Sequence, residues 1–423
     1  MTTNYSSSKG KVPLKRAAEG MVAMLPSAGR VLVSGGPAES LLLADSVEGA
    51  GSSLGRLTFT GIFVPGLNRR TYLANADCTV ETFFLTPELK SSVASVKFLP
   101  FCYDDILRHF RAHPPDAALM MVSPPDLNGL CSFGPSVDFL AEIWPQIPVR
   151  LAHINPLMPR TRGRCAIPFC ELTAYVEQAQ PILGTEDPGT DPVSDAIAAA
   201  VAALVPDGAT LQTGLGKIPG SVLRALTRKR NLRMHSGLIG DAVVDLEEAG
   251  ALAPGCAVTA GVAIGSERLY RAIEGPTYRF APVSDTHDVS AMRRIPDFIS
   301  INSAIEVDLL GQVYAEVGPK GLMSGPGGAS DFARGSRLAG GVRIVALAAT
   351  AAKGTISRII SPTQCSGPVS LGRMDVDVVV TEFGAADLRG RGHAERAALL
   401  IAIAGPDHRI ALQEKWHAFS QGF

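Results

Sequence analysis

Glu306 and Asp308 close an apolar run, Phe298-Ile299-Ser300-Ile301-Asn302-Ser303-Ala304-Ile305. A carboxylate in apolar surroundings is one ingredient of acyl transfer, because it can attack a carbonyl carbon and form a covalent intermediate. Further on, Gly325-Pro326-Gly327-Gly328 lacks the side chains that would hold backbone N–H groups away from a ligand. A carboxylate at a strand end facing such a loop can perform acyl transfer. The same residues also read as a paired, solvated strand end followed by a plain turn, and the local pattern leaves both readings open.

Other chemistries find less support. Gly214-x-Gly216-x-x-Pro219 has the glycine spacing of a dinucleotide turn, but proline stands sixth and the next strand ends at Met234-His235 without a ribose-binding carboxylate. His109 and His113 flank Arg111 beside Pro114 as in a solvated helix end. With no Cys/His quartet, no metal is expected. His235 is expected to be a hydrogen-bonded structural histidine, and no serine sits in a Gly-x-Ser-x-Gly elbow. Arg160, Arg162 and Arg164 suit a second substrate carboxylate if they reach a cleft, and equally a surface turn.

The elements that must position these groups follow a repeated grammar. Leu14 to Leu25 reads as a helix, Pro26 to Gly29 as a turn and Arg30 to Ser34 as a strand; Gly35-Gly36-Pro37 opens another helix. The pattern returns as a helix over Asp195 to Val205, a turn at Pro206-Asp207-Gly208, a strand over Ala209 to Gln212 and a helix from Gly214 toward Leu226. Val22-Ala23-Met24-Leu25-Pro26 and Ala202-Ala203-Leu204-Val205-Pro206 are the visible echo. Two similar open α/β domains, 1–185 and 193–423, are expected, joined by Gly184-Thr185-Glu186-Asp187-Pro188-Gly189-Thr190-Asp191-Pro192. Ala117 to Val122, Val149 to Ile154, Phe298 to Ile305, Arg343 to Thr350 and Val376 to Thr381 read as buried strands. Phe280 to Asp285 reads as an extended, turn-like piece, and Ala394 to Ile403 as a closing helix.

With 423 residues, 46% hydrophobic and 19% charged, the chain has material for more than one core. A net charge of -1 gives no reason to expect nucleic acid or an anionic membrane as partner. Seven scattered cysteines read as free thiols of a reducing cytoplasm. The Ser- and Lys-rich start lacks the apolar stretch of a signal peptide, and no run suits a spanning helix.

Asn302-Ser303-Ala304-Ile305-Glu306-Val307-Asp308-Leu309 followed by Gly311-Gln312-Val313 resembles the signature of the acetyl-CoA hydrolase/transferase family, the class I coenzyme A transferases. Gly354 to Ile359 and Thr381 to Gly390 strengthen the likeness, which is nearly continuous from Ile299 to Leu412 and looser in the first half, at Ser123-Pro124-Pro125-Asp126 and Met158-Pro159-Arg160. The length is closer to the 4-hydroxybutyrate/butyrate-type members. The resemblance implies the class I CoA-transferase fold with the active site at the domain interface, a homodimer, no permanently bound cofactor, and acyl-CoA with a small carboxylic acid as substrates. It implies Glu306 as covalent nucleophile, and oxyanion or CoA contacts at Pro282, Val283, Ser284, Gly327, Gly328, Val380 and Gly384. Such a route asks for orientation, worth up to about 7–11 kcal/mol, and oxyanion donors worth about 3–4 kcal/mol each. Water in place of the acceptor acid would make the same glutamate an acyl-CoA hydrolase, and a non-catalytic acyl-CoA-binding protein is the reading from another class. Three departures stand out: Gly237-Leu238 where many members have glutamate and methionine, Tyr314 where asparagine is usual, and Pro326 within the glycine loop.

Overall fold

The structure, a computed structural model, describes residues 12–318 and 321–422. The chain divides into two compact units, one of Met1–Leu99, Leu107–Gly184 and Phe280–Pro282, the other of Pro100–Ile106, Thr185–Arg279 and Val283–Phe423.

The first unit is built on an eight-stranded sheet of β1 (Leu14–Lys15), β2 (Ala28–Val33), β3 (Arg56–Gly61), β4 (Thr79–Thr82), β5 (Val96–Phe98), β6 (Ala117–Val122), β7 (Val149–Ile154) and β8 (Ala174–Glu177). Their spatial order is β1-β8-β7-β6-β2-β3-β4-β5, and every pairing is parallel. Parallel strands are covered on both faces, which is why all six residues of β6 are buried.

The sheet of the second unit takes β9 (Thr210–Thr213), β10 (Arg233–Ile239), β11 (Val258–Ala263), β12 (Tyr278–Phe280) and β13 (Phe298–Ser303). A separate small sheet takes β14 (Glu306–Asp308) and β15 (Val313–Tyr314). The main sheet then continues with β16 (Val342–Ala346), the small one with β17 (Ile359–Ile360), and the main one closes with β18 (Val378–Thr381) and β19 (Gly384–Asp387). The main order is β12-β11-β10-β9-β13-β16-β18-β19, and the small sheet runs β15-β14-β17.

The two large sheets share a winding. From β2 the chain lays strands outward through β3 and β4 to β5, then returns to the other flank of β2 for β6, β7 and β8. From β9 it runs out to β12 and returns to the other flank for β13, β16 and β18. Helices α1 (Ala18–Val22) and α2 (Leu41–Ala50) flank β2 in sequence, as α3 (Pro192–Leu204) and α4 (Lys217–Ala225) flank β9. The Val22–Pro26 and Ala202–Pro206 echo thus precedes the strand at which each sheet changes direction. Open α/β sheets bind ligands beyond the carboxyl ends of strands at such a point. β13, which leads to Glu306, ends at the switch point of the second unit.

Several local expectations give way to tertiary pairing. Leu14–Lys15 is an edge strand paired with Ala174–Tyr175 rather than the start of a helix. Phe280 to Asp285 is not extended throughout, since Val283–Thr286 forms a short helix, α5. The run from Phe298 breaks after Ser303, so Glu306 opens a new strand. The strand ending at Thr381 turns back at once, with Thr381 paired to Gly384 and β19 antiparallel to β18. After α6 (Ala329–Leu338) and α7 (His393–Ala402) comes a last helix, α8 (Arg409–Ser420), that the sequence pattern did not announce. Only Leu412 of α8 is buried, so no apolar stripe marks it. None of the described helices is long and apolar enough to cross a membrane.

Candidate active site

Glu306 is 8% exposed, and both its oxygens are held by one residue. The Ser366 hydroxyl donates to Oε1 at 2.7 Å and the Ser366 N–H donates to Oε2 at 3.2 Å. Hydrogen bonds to an ionised acceptor are the strong kind, so the pair fixes the carboxylate rotamer. A cleft of about 260 Å³ opens beside it, lined among others by Thr355, Ser357, Gln364, His408 and Lys415. His408 is itself anchored, Nε2 lying 2.7 Å from the Gly354 carbonyl oxygen.

Asp308 has a different task. Its Oδ1 accepts the Leu310 and Gln312 N–H groups at 2.9 Å each, and Oδ2 accepts Gln312 Nε2 at 2.8 Å and the Tyr314 hydroxyl at 3.0 Å. Fully buried and saturated, it ties the turn that sets Tyr314 opposite Glu306 across β14 and β15. Burial, with the Asp308 charge next, pushes the Tyr314 phenol well above its ordinary range. Tyrosine at 314 therefore serves the turn under Glu306.

The glycine loop has other neighbours. Gly327, at φ +61°, bridges to Cys102, and Gly328 abuts His287. This histidine is 2% exposed, with its ring stacked on Tyr103 at 4.5 Å and 16° and tilted against Phe332 at 4.6 Å. A Cβ on Gly237 would lie 2.5 Å from His287 Cε1, and one on Gly328 would lie 2.6 Å from Nε2. The imidazole is wedged between β10 and the glycine loop, and both flanking positions are glycine because nothing larger fits. Burial drives its pKa down to about 3, so the wedge is neutral at ordinary pH. Gly237 and Gly328 thus share His287 as a neighbour, and Glu306 lines the cleft that runs from Thr355 to Lys415. Gly237→Ala is expected to cost about 2 kcal/mol in chemical denaturation and less than half of that when His287 is alanine. Equal costs in both backgrounds would place the clash elsewhere.

Residues 265–416 match the acetyl-CoA hydrolase/transferase C-terminal domain. A succinyl-CoA:cyclohexane-1-carboxylate CoA transferase of Geobacter metallireducens is 38% identical over 326 residues, 75% of each chain. The chain belongs to the acetyl-CoA hydrolase/transferase family. A 4-hydroxybutyrate coenzyme A transferase of Clostridium kluyveri is also 38% identical, over 72% of each chain. Among solved structures, RipA from Yersinia pestis superposes with a TM-score of 0.89 at 27% identity, covering 96% of this chain and 98% of its own. The fold is the class I CoA-transferase fold, and the chain is a member of an enzyme family of CoA transferases.

The remaining residues that the family resemblance singles out fall into two groups. Val283 opens α5, and its carbonyl accepts the His287 N–H at 2.9 Å, so Val283 and Gly328 both meet His287, with Pro282 and Ser284 either side of Val283 and Gly327 next to Gly328. Val380 lies in β18, fully buried, its carbonyl accepting the Leu347 N–H at 3.0 Å. Gly384, at φ +132°, closes the hairpin. Beside it Glu382 is held by the Ala349 N–H at 2.8 Å. His235 is not at a strand end but within β10, its Nε2 3.0 Å from the Thr286 carbonyl oxygen, and burial lowers its pKa. Arg160 reaches Ser123 Oγ and the Leu130 carbonyl, both at 3.1 Å, and so fastens the turn after β6. Arg164 pairs with Glu142 at 3.4 Å. Ser366, His408 and Lys415 carry no signal in the sequence, because nothing in a Pro- and Ser-rich loop or an unstriped helix shows that it folds over a distant glutamate.

Proposed function

We propose that this chain moves CoA between an acyl-CoA and a short-chain carboxylic acid through a covalent adduct on Glu306. The Glu306 carboxylate attacks the thioester carbonyl, giving an acyl-glutamyl anhydride and the CoA thiolate. The thiolate attacks the glutamyl carbonyl, releasing the first acid and leaving a glutamyl-CoA thioester. An incoming carboxylate displaces the thiolate to re-form an anhydride, and the thiolate then takes the new acyl group and frees Glu306. The observation that carries this reading is a nearly buried carboxylate, oriented by Ser366, beyond the carboxyl end of the switch-point strand and open to a cleft. A homodimer, on the family likeness, and a cytoplasmic location, on the scattered free thiols, are part of the proposal.

The glycine loop favours a second reading of the acyl-CoA site. Its Gly328 abuts the buried, neutral His287, which also abuts Gly237, so in this alternative acyl-CoA docks at the loop and no adduct forms on Glu306. Intact-protein mass after incubation with acetyl-CoA or butyryl-CoA, with and without borohydride, separates the two. A CoA-sized adduct lost on reduction and absent from Glu306→Ala supports the covalent route. Acyl-CoA binding without an adduct supports the second.

Ser366→Ala is expected to lower kcat about tenfold or more through loss of a charge-assisted hydrogen bond. Unchanged kcat would mean that Glu306 needs no such orientation.

A further inference from the structure

The first unit carries its own buried, unsatisfied carboxylate. Ser34 directly follows β2 and Gly61 ends β3, so both lie at the carboxyl edge of the sheet, at the strand where its order reverses. A small pocket of about 30 Å³ is lined there by Phe110, Phe139 and aliphatic side chains, with Ser34, Ser136 and Asp138 as polar members. Ser136 is engaged, its hydroxyl donating to the Gly35 carbonyl at 3.2 Å. Ser34 Oγ and Asp138 Oδ1 are fully buried atoms with no hydrogen-bond partner among the described residues. Asp138 is 7% exposed, and its backbone is held at φ +33°.

The contrast with other buried acids of the chain is the telling point. Glu39 is satisfied by Asn68 Nδ2 and the Tyr72 hydroxyl, both at 2.9 Å, and Asp308 takes four hydrogen bonds. Buried polar groups without partners and backbone in a sparsely populated region are both costly, and they concentrate where a ligand supplies what is missing. We propose that Ser34 and Asp138 form a binding pocket for a small ammonium group, free ammonium or the amino end of a small amine. The volume suits one such group, being little more than that of a water molecule. The free groups offer hydrogen-bond acceptors and negative charge with no counter-ion among the lining residues, which turns anions away. Two side-chain ligands are far fewer than the six or more oxygens that calcium or magnesium gathers. This proposal is independent of the CoA-transfer reading.

Burial alone pushes the Asp138 carboxyl up to about 7, and no other residue lining the pocket titrates. Ammonium bound to the ionised form should therefore weaken as the pH falls through 7.

The test is calorimetric titration of the full chain at pH 8 with ammonium and methylammonium chloride, using tetramethylammonium chloride at matched ionic strength as control. Saturable binding of the first two and not the third is expected, weakened at least about tenfold by Asp138→Asn and severalfold by Ser34→Ala. Ammonium binding tighter than methylammonium identifies the free ion; the reverse order identifies the end of a larger amine. No saturable binding, or binding unchanged in Asp138→Asn, overturns the proposal. If that variant fails to fold by circular dichroism, unchanged affinity in Ser34→Ala overturns it instead.

Discussion

Glutamine in place of Glu306 is expected to abolish the borohydride-sensitive adduct and to lower CoA transfer on the order of 10⁴-fold or more, the scale on which enzymes lose rate with their covalent nucleophile. The substitution keeps volume and one acceptor oxygen. The Ser366 hydroxyl can still donate to the amide carbonyl, so the fold around β14 should hold, and circular dichroism with acyl-CoA binding would verify this. What glutamine lacks is the charge and the leaving-group chemistry of a carboxylate, because an amide oxygen forms no anhydride. Binding of acyl-CoA should persist while turnover vanishes, which is the signature of a group acting on the transition state rather than on ground-state affinity. Transfer that survives in Glu306→Gln would move the reaction to the glycine loop, where His287 and Gly237 meet, and leave Glu306 as a structural partner of Ser366.

How much of this is legible in the sequence depends on how local the cause of each feature is. β6, with six consecutive apolar residues, is readable because a strand buried on both faces needs no partner-specific pattern. Helix α3 is readable in its body from Asp195 on, but not in its start, since Asp191 caps it through the Ser194 N–H at 2.8 Å and Pro192 opens it where the sequence reads as linker. The shared winding of the two sheets shows as one five-residue echo. Leu14–Lys15 reads wrongly as helix because its state is fixed by Ala174–Tyr175, far along the chain. The site follows the same rule. Glu306 stands out, but its clamp at Ser366 lies sixty residues on, and no periodicity links them. Gly237 is visible as a departure, yet its reason is His287, and only folding brings the imidazole to within 2.5 Å of the missing Cβ. Asp138 and Ser34 carry no signal at all, since an orphaned carboxylate looks in sequence like any other aspartate.

Asp138→Asn is expected to stabilise the first unit, and by an amount that grows with pH. The carboxyl is raised by burial from its ordinary value of 3.8 to about 7 in the folded chain. A group whose folded pKa is raised contributes stability that is fully present below the unfolded value and is lost as the pH rises through the folded one. A gap of this size between the folded and unfolded carboxyl corresponds to about 4 kcal/mol, so the wild-type chain should lose up to that much between about pH 4 and pH 8 on account of this one residue. Asparagine does not titrate, and it resembles the protonated acid in shape and hydrogen-bonding capacity. The two chains should therefore be nearly equal at about pH 4 and differ by about 2–4 kcal/mol at about pH 8. Because two units need not unfold together, the measurement is hydrogen exchange of the β2 and β3 amides of both chains at a series of pH values. A constant difference across the range would mean that the Asp138 carboxylate is compensated in the native protein. A difference that opens with pH and closes again when ammonium is added to the wild type would tie the stability cost and the binding pocket to the same unpaired charge, as expected where a site is kept unsatisfied for its ligand.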